Sequence, residues 1–295
     1  MHAFYDSRMT VPVSAGSTPS HMKPAQLHET LMDTDLPIVW QPVTPVAWDD
    51  LEAIHEAWYV TAVRTGEPES VAEEASVTWT PELAESLLWE TGSMVNASLA
   101  ALATGCAVSL SSGFHHAHYD RSGTFCLING LVLAALRVIE AVPGVPVLIL
   151  DCDYHYGNGT DDILGRFIER PDVDIRHESL GRRYKKPHQA DEYVAEMAKI
   201  TKRITAGEYG FVIYQAGMDV LVGDPLGGLL SYRQTYERDR AVFEACHESN
   251  TPIAWNLAGG YKKDDDGTIA PVLEGHVNTC IAAVDVFDGF SGAEP

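Results

Sequence analysis

Val145-Pro146-Val147-Leu148-Ile149-Leu150, running directly into Asp151-Cys152-Asp153-Tyr154-His155-Tyr156-Gly157-Asn158-Gly159, is the stretch that decides the fold. Six consecutive residues without a charge, ended by acids and glycines, match a strand buried on both faces, the kind found in parallel sheets. Side chains at i, i+2 and i+4 of an extended chain share a face. The spacing therefore predicts that Asp151, Asp153 and His155 point the same way from the strand end. Three ionisable groups at a buried strand end are costly unless they bind something. An acidic turn with capping aspartates is the alternative for this stretch taken alone. Gly157 and Gly159 permit the sharp turn into the next helix.

Working outward, strand and helix patterns alternate on both sides. Helical spacing covers Pro81–Thr104, Phe125–Val142, Thr160–Ile168, Gln189–Ile204, Tyr232–Glu248 and a last segment near Pro271–Val286. Short apolar runs mark strands at Ala107–Leu110, Val173–Ile175, Phe211–Tyr214 and Pro252–Leu257. This alternation implies parallel βαβ units, hence an α/β fold with a central, mainly parallel sheet flanked by helices. No linker interrupts the pattern, so the expectation is a single domain over 1–295. In it, 1–80 is a loop-rich part with short helices lying over one end of the sheet, and 81–290 is the βα core.

In such sheets ligands bind beyond the carboxyl ends of the strands. Four candidate stretches fall there. The first is the Asp151–Gly159 run. The second follows FVIYQA: Gly217-Met218-Asp219, then Gly223-Asp224-Pro225-Leu226-Gly227-Gly228. With Asp153 and His155, Asp219 completes a set of two carboxylates and one imidazole, a mixed O/N site with an open position that suits a catalytic ion. The third is Ser111-Ser112-Gly113-Phe114-His115-His116-Ala117-His118, whose adjacent histidines are candidates for acid–base work. The fourth is Ala258-Gly259-Gly260-Tyr261, where two glycines allow close backbone approach and a phenol hangs over the sheet edge.

Taken together, SGFHHA, GTFCLINGLVLAA, LILDCDYHYGNGT, QAGMDVLVGDPLGG and NLAGGY, in this order from about Ser111 to Tyr261, resemble the histone deacetylase family with its arginase–deacetylase fold. FYDSRM and Pro19–Leu27 are similar to the family's N-terminus. The resemblance implies one zinc ion on Asp153, His155 and Asp219. It implies His116 as proton shuttle with Asn158 as its partner, His115 as its electrostatic neighbour oriented by Asp151, and Tyr261 as donor to the substrate carbonyl and its oxyanion. It further implies a narrow substrate channel along Gly113, Phe125, Leu226, Gly259 and Gly260, with Tyr184 as a trial second aromatic wall. Asp151, Asp153, His155, Ser179 and Leu180 would form a structural monovalent-cation site, usually potassium. The implied reaction removes an acetyl or related acyl group from an N-acylated amine such as acetyl-lysine or an acetylpolyamine. This chain departs from the family pattern at Tyr156, where a second His is common, at His21, Met22 and Lys23, where many members are Arg-rich, and in HESLGRRYKKPHQ, which lacks the usual FPG-type loop.

Three rival readings stay open at this stage. LILDCD also resembles the hhhhDxD of Asp-nucleophile phosphotransferases, with Asp151 attacking. A dimanganese ureohydrolase on the same fold would need a second ligand set. A non-catalytic binder of acylated lysine would keep the pocket without the chemistry.

Composition bounds the rest. The chain has 295 residues, 20 Lys+Arg against 42 Asp+Glu and a net charge of -22. That balance argues against nucleic acid as a partner and favours a cationic substrate. Glu73, Glu74 and Glu82 are candidate acids for the mouth. The five cysteines form no CxxC pair and read as reduced, buried thiols. With no signal-like N-terminus and no long apolar run, the expectation is a cytoplasmic protein without a membrane partner. Oligomeric state is not legible.

Overall fold

A computed structural model describes residues 1–11, 22–73 and 77–289. The strands are β1 (His2–Phe4), β2 (Val39–Gln41), β3 (Cys106–Ser109), β4 (Val147–Asp151), β5 (Ile175–Ser179), β6 (Phe211–Gln215) and β7 (Ile253–Asn256). The helices are α1 (Lys23–Met32), α2 (Trp48–Leu51), α3 (Ala57–Thr65), α4 (Glu69–Ala72), α5 (Pro81–Thr104), α6 (Gly130–Ala141), α7 (Asn158–Leu164), α8 (Ala190–Thr205), α9 (Tyr232–Glu248) and α10 (Ala270–Asp288). One sheet runs in the order β2-β1-β3-β7-β6-β4-β5, and every neighbouring pair is parallel. The expected parallel sheet with flanking helices is therefore the fold. No helix among the described residues is long and apolar enough to cross a membrane.

The alternation of strand residues builds two cores. Leu148, Leu150, Val212, Tyr214 and Trp255 face one side, against Met197 and Ile200 of α8, Phe243 of α9 and Ala283 of α10. Val147, Ile149, Phe211, Ile213 and Ala254 face the other, against Val60 of α3, Met94 of α5 and Leu131 of α6. Both faces are covered, which is why the central strands read as unbroken apolar runs.

The first 80 residues correct the expectation. They are not just a loop-rich cover, because β1 and β2 extend the sheet beyond β3, with His2 opposite Ala107 and Val39 opposite His2. Strands of three residues carry too little pattern to be recognised by alternation. Two other elements shift. The helix expected from Phe125 starts at Gly130, because Phe125 holds φ 61, Cys126 bridges back to Gly123, and Asn129 caps the helix by accepting from Val132 N at 3.3 Å. β5 lies at Ile175–Ser179, C-terminal to the expected Val173–Ile175; its IRHES sequence is polar because it is the sheet edge. α5 and α9 keep the expected bounds, each started by a side-chain cap, Thr80 and Ser231 respectively.

The sheet aligns the carboxyl ends of five strands. Ser179, Asp151, Gln215, Asn256 and Ser109 stand side by side in register. From β4 the chain goes outward to β5 and returns as β6 on the other side of β4. Such a reversal opens a crevice at the strand ends, and the loops after β4 and β6 meet there.

Candidate active site

β4 ends at Asp151, so the chain does not stay extended through His155. This corrects the expected common face of Asp151, Asp153 and His155. Asp151 turns back beneath the loop: Oδ1 accepts from Asp153 N at 3.1 Å and Gln215 Nε2 at 3.2 Å. Its Oδ2 lies 2.9 Å from His115 Nδ1 and accepts from Ser179 Oγ at 3.2 Å. Asp153 and His155 turn the other way and meet Asp219 from the loop after β6. His155 Nδ1 lies 2.9 Å from Asp219 Oδ2 and 3.2 Å from Asp153 Oδ1. One ligand atom from each of the three lies within 4.8 Å of the others.

Asp153 and Asp219 are buried side by side. Burial raises Asp219, and the facing charge of Asp153 raises it further, to about 7. Two apposed buried carboxylates beside one imidazole fit a divalent cation, which would relieve that repulsion. The donors are two oxygens and a nitrogen, and Asp153 and His155 border a cavity that leaves a side open. Gly259 seals another side. Its N–H donates to Asp153 Oδ2 at 2.8 Å, and a Cβ on it would stand 2.6 Å from both Asp153 Oδ2 and Asp219 Oδ2.

The rings of His115 and His116 lie against each other, tilted by 47° with centroids 4.0 Å apart. Burial works against a charged His115, but Asp151 and Asp153 outweigh it and hold it up at about 9. Burial lowers His116 to about 4, and the charge of His115 pushes the same way. His116 Nδ1 lies 2.7 Å from Asn158 Oδ1, while the amide of Asn158 faces His118 Nε2 at 3.1 Å. Asn158 therefore offers oxygen to His116, whose Nδ1 donates, leaving Nε2 bare. Phe114 and Phe125 both take positive φ, 80 and 61. Such backbone costs about 1–3 kcal/mol per residue and is found where a site over-determines the chain.

A cavity of about 200 Å³ joins these groups. It is lined by His115, His116, Asp153, His155 and Tyr261, by Gly113, Phe125, Leu226 and Gly259 of the expected channel, and by Thr124 and Cys126. Gly260 does not line it; it lies behind the turn, where a Cβ would meet Val272 Cγ1 at 2.6 Å. Tyr184 is also elsewhere, packed edge-on against Tyr193 on the far core. Glu73 accepts from Trp79 N at 3.1 Å, Glu82 is exposed on α5, and Glu74 lies outside the described residues, as does His21. Apart from Asp153, the acid among the described residues that lines the cavity is Glu90.

Three supporting residues escape sequence reasoning. Asp224 fixes the loop of Tyr261, its Oδ2 accepting from Tyr261 N at 2.7 Å and Lys262 N at 2.9 Å. His177 sits behind Asp151, with Nε2 3.6 Å from Asp151 Oδ2 and Nδ1 2.7 Å from Asp161 Oδ1. Arg238 is buried under both ligand loops and donates to Gly217 O at 3.0 Å and Cys152 O at 3.3 Å. The Gly223-Asp224-Pro225 turn is a visible signal for the first; the other two need the fold.

A cluster of metal-ligand type, a histidine pair and a phenol thus meet at the switch of a parallel sheet. The chain belongs to the histone deacetylase family, whose domain model matches residues 19–182. It is 27% identical over 250 residues to histone deacetylase 2 of Arabidopsis thaliana, covering 76% of this chain and 64% of that one. It is 26% identical over 204 residues to acetylpolyamine amidohydrolase 2 of Pseudomonas aeruginosa, covering 60% of this chain and 54% of that one. The chain thus spans less than two thirds of either relative. The crystal structure of the HDA15 HD domain superposes with TM-score 0.73 at 19% identity, covering all of this chain and 89% of that one, a likeness of fold.

Proposed function

We propose that this protein is a zinc-dependent deacylase that hydrolyses the amide of an N-acylated, cationic amine. The observation that carries the reading is the Asp153–His155–Asp219 cluster opening into the same cavity as an Asp-backed His115, an Asn-backed His116 and Tyr261. The names of the relatives, a histone deacetylase and an acetylpolyamine amidohydrolase, support acylated amines as the substrate class. Zn²⁺ on Asp153, His155 and Asp219 would supply Lewis-acid polarisation of the acyl carbonyl and of the attacking water.

The chain's own residues do the proton work. His116 is held neutral and keeps Nε2 bare, so it accepts a proton from water and returns it to the leaving nitrogen. His115 stays charged against Asp151, supplying positive field beside the reacting centre, with its Nε2 3.8 Å from Asp153 Oδ1. Tyr261, fixed from behind by Asp224, donates to the developing oxyanion. Phe125 and Gly113 pass the alkyl chain, and Leu226 stands half-exposed at the rim. The same reading sets a monovalent cation, potassium by resemblance, beside Asp151, Asp153, His155, Ser179 and Leu180.

The test is acetate release from N-acetyl amines by zinc-loaded protein, with Tyr261→Phe beside the wild type. The expected result is turnover that a chelator removes and zinc restores. Tyr261→Phe should keep one zinc per chain and lose roughly 10²–10³ in kcat. A zinc-loaded wild type that cleaves no acyl amine, or a Tyr261→Phe with full turnover, sinks the reading.

A further inference from the structure

A histidine works as a base only in the right tautomer. For His116 that means a bare Nε2 and a proton on Nδ1, which lies 2.7 Å from Asn158 Oδ1. Asn158 is an amide, with an acceptor end and a donor end of nearly the same size. Turned about, it would aim its NH₂ at His116 Nδ1, draw the proton to Nε2 and disable the base. A carboxylate at this position would present an oxygen either way. What orients the amide lies on its far side, where the Asn158 nitrogen is 3.1 Å from Nε2 of His118. His118 is buried and held by its backbone. Its N donates to Arg121 O at 2.9 Å. Its carbonyl lies 2.8 Å from His55 Nδ1, which donates, because Nε2 of that ring accepts from Asn129 N at 3.1 Å. Asn158 is the first residue of α7, and α7 starts hard against the chain between the two rings. A Cβ on Gly159 would stand 2.3 Å from Ala117 O, and Thr160 N donates to His115 O at 3.1 Å.

Burial and the neighbouring Arg121 both lower His118, so its ring is neutral and carries one proton. Two groups of opposite demand face its Nδ1. Asp162 Oδ2, an acceptor, lies 3.4 Å away, and Arg121 Nη2, a donor, lies 2.9 Å away. With the proton on Nδ1, toward Asp162, Nε2 is bare and accepts from Asn158. With the proton on Nε2, Asn158 would have to turn its oxygen to His118 and its NH₂ to His116. Asp162 is the better anchored of the two, accepting from Tyr119 N at 3.0 Å, whereas Arg121 is half exposed and shared with Asp120 at 3.1 Å. We propose that His118 is a positioning residue of this site: by accepting from the Asn158 amide it holds the Asn158 oxygen toward His116, and so keeps His116 in the tautomer that acts as base. The inference rests on the deacylase reading for what His116 does, but not for the tautomer itself.

Two measurements test it in the zinc-loaded protein. The first is nitrogen NMR of isotope-labelled histidine rings, which tells Nδ1–H from Nε2–H; the His116 signals are those missing from His116→Ala. The wild type should show His116 with its proton on Nδ1, and His118→Phe should move a substantial share to Nε2. His118→Gln, which offers a carbonyl oxygen in place of Nε2, should keep the wild-type form. The second is a double-mutant cycle on acyl-amine turnover. His118→Phe should lose about tenfold in kcat with KM within about twofold, as expected when much of an acid–base group sits in the wrong tautomer. In the Asn158→Asp background, measured against that variant's own rate, the same substitution should change kcat by less than about twofold, because a carboxylate needs no orienting. A residue that merely held the loop would cost the same in both backgrounds. An unchanged His116 tautomer in His118→Phe, a His118→Gln that fails as His118→Phe does, or equal losses of kcat in the two backgrounds overturns the inference. A wild type that cleaves no acyl amine while the tautomer pattern holds would overturn the deacylase reading instead and leave the His118–Asn158–His116 chain standing.

Discussion

At the scale of single residues, the site depends on groups that have no chemistry of their own. Gly259 is the clearest. Its Cα faces two carboxylate oxygens of the proposed metal site, Asp153 Oδ2 and Asp219 Oδ2, so closely that a methyl group has no room. Gly259→Ala should therefore spread Asp153 and Asp219, lower zinc affinity at least tenfold and reduce turnover in step, with little change in melting temperature in the metal-free protein. Competition with a chelator reads the affinity directly, and an unchanged value would show that the turn relaxes freely. Glu90 makes a prediction about stability. Its carboxyl sits at about 8 in the folded chain against 4.5 for the free side chain. Between these values the folded state holds the proton that the unfolded state has released. Its contribution is thus harmless below about pH 4.5, and stability falls as pH rises toward 8. Glu90→Gln removes this slope, so the variant should gain about 2–4 kcal/mol on the wild type between pH 5 and pH 8. Urea unfolding at a series of pH values checks it; parallel curves would mean that Glu90 ionises freely in water.

At the scale of elements, the two ligand loops are held from below by α9. Arg238 reaches Cys152 O and Gly217 O, one carbonyl from each loop, and its charge is matched by Asp239 at 2.7 Å. Asp239 in turn accepts from the Tyr214 hydroxyl and from Thr279 at 2.6 Å, tying β6 to α10. Removing one partner of a buried pair leaves the other charge uncompensated, which costs about 3–5 kcal/mol. Arg238→Ala should lose that much stability, and Arg238→Met with Asp239→Leu should recover a large part of it. Both should bind zinc more weakly, since the loops lose their shared anchor; a double variant with wild-type zinc affinity would show that the loops position themselves. The sequence makes this layer hard to see. Apolar runs reveal β4, β6 and β7, and the polar residues just after them reveal Asp153, His155, Asp219, His115, His116 and Tyr261, because burial on both faces leaves chemistry only at the strand ends. Arg238 and His177 sit on a helix and an edge strand whose polar residues look like ordinary surface, and β1 and β2 are too short to show a period. Glu90 is hidden for the opposite reason: on the α5 pattern it reads as one more exposed acid among Glu82 and Glu85, and only the tertiary wall turns it inward.

At the scale of the whole molecule, the excess of 42 acidic over 20 basic residues remains after the ion pairs are considered. The arginines are largely spent on it: Arg137 serves Asp50 and Glu140, Arg203 serves Glu178 and Glu208, and Arg183 serves Glu196. Each such surface pair contributes little to stability, but together they neutralise the cations and leave a negative surface. A field of that sign concentrates a cationic substrate near the protein and raises its encounter rate, and salt removes the effect. The Debye length falls from about 10 Å at 0.1 M to about 3 Å at 1 M. Over that range kcat/KM for an acyl amine bearing a second, charged amine should fall about 3–10-fold, while that for its uncharged isostere should stay within about twofold. The value of kcat at saturation should be insensitive to salt in both cases, because steering acts before the bound complex forms. Initial rates across a sodium chloride series measure both quantities. Parallel salt curves for the two substrates would mean that the surface charge keeps the protein soluble and plays no part in collecting its substrate.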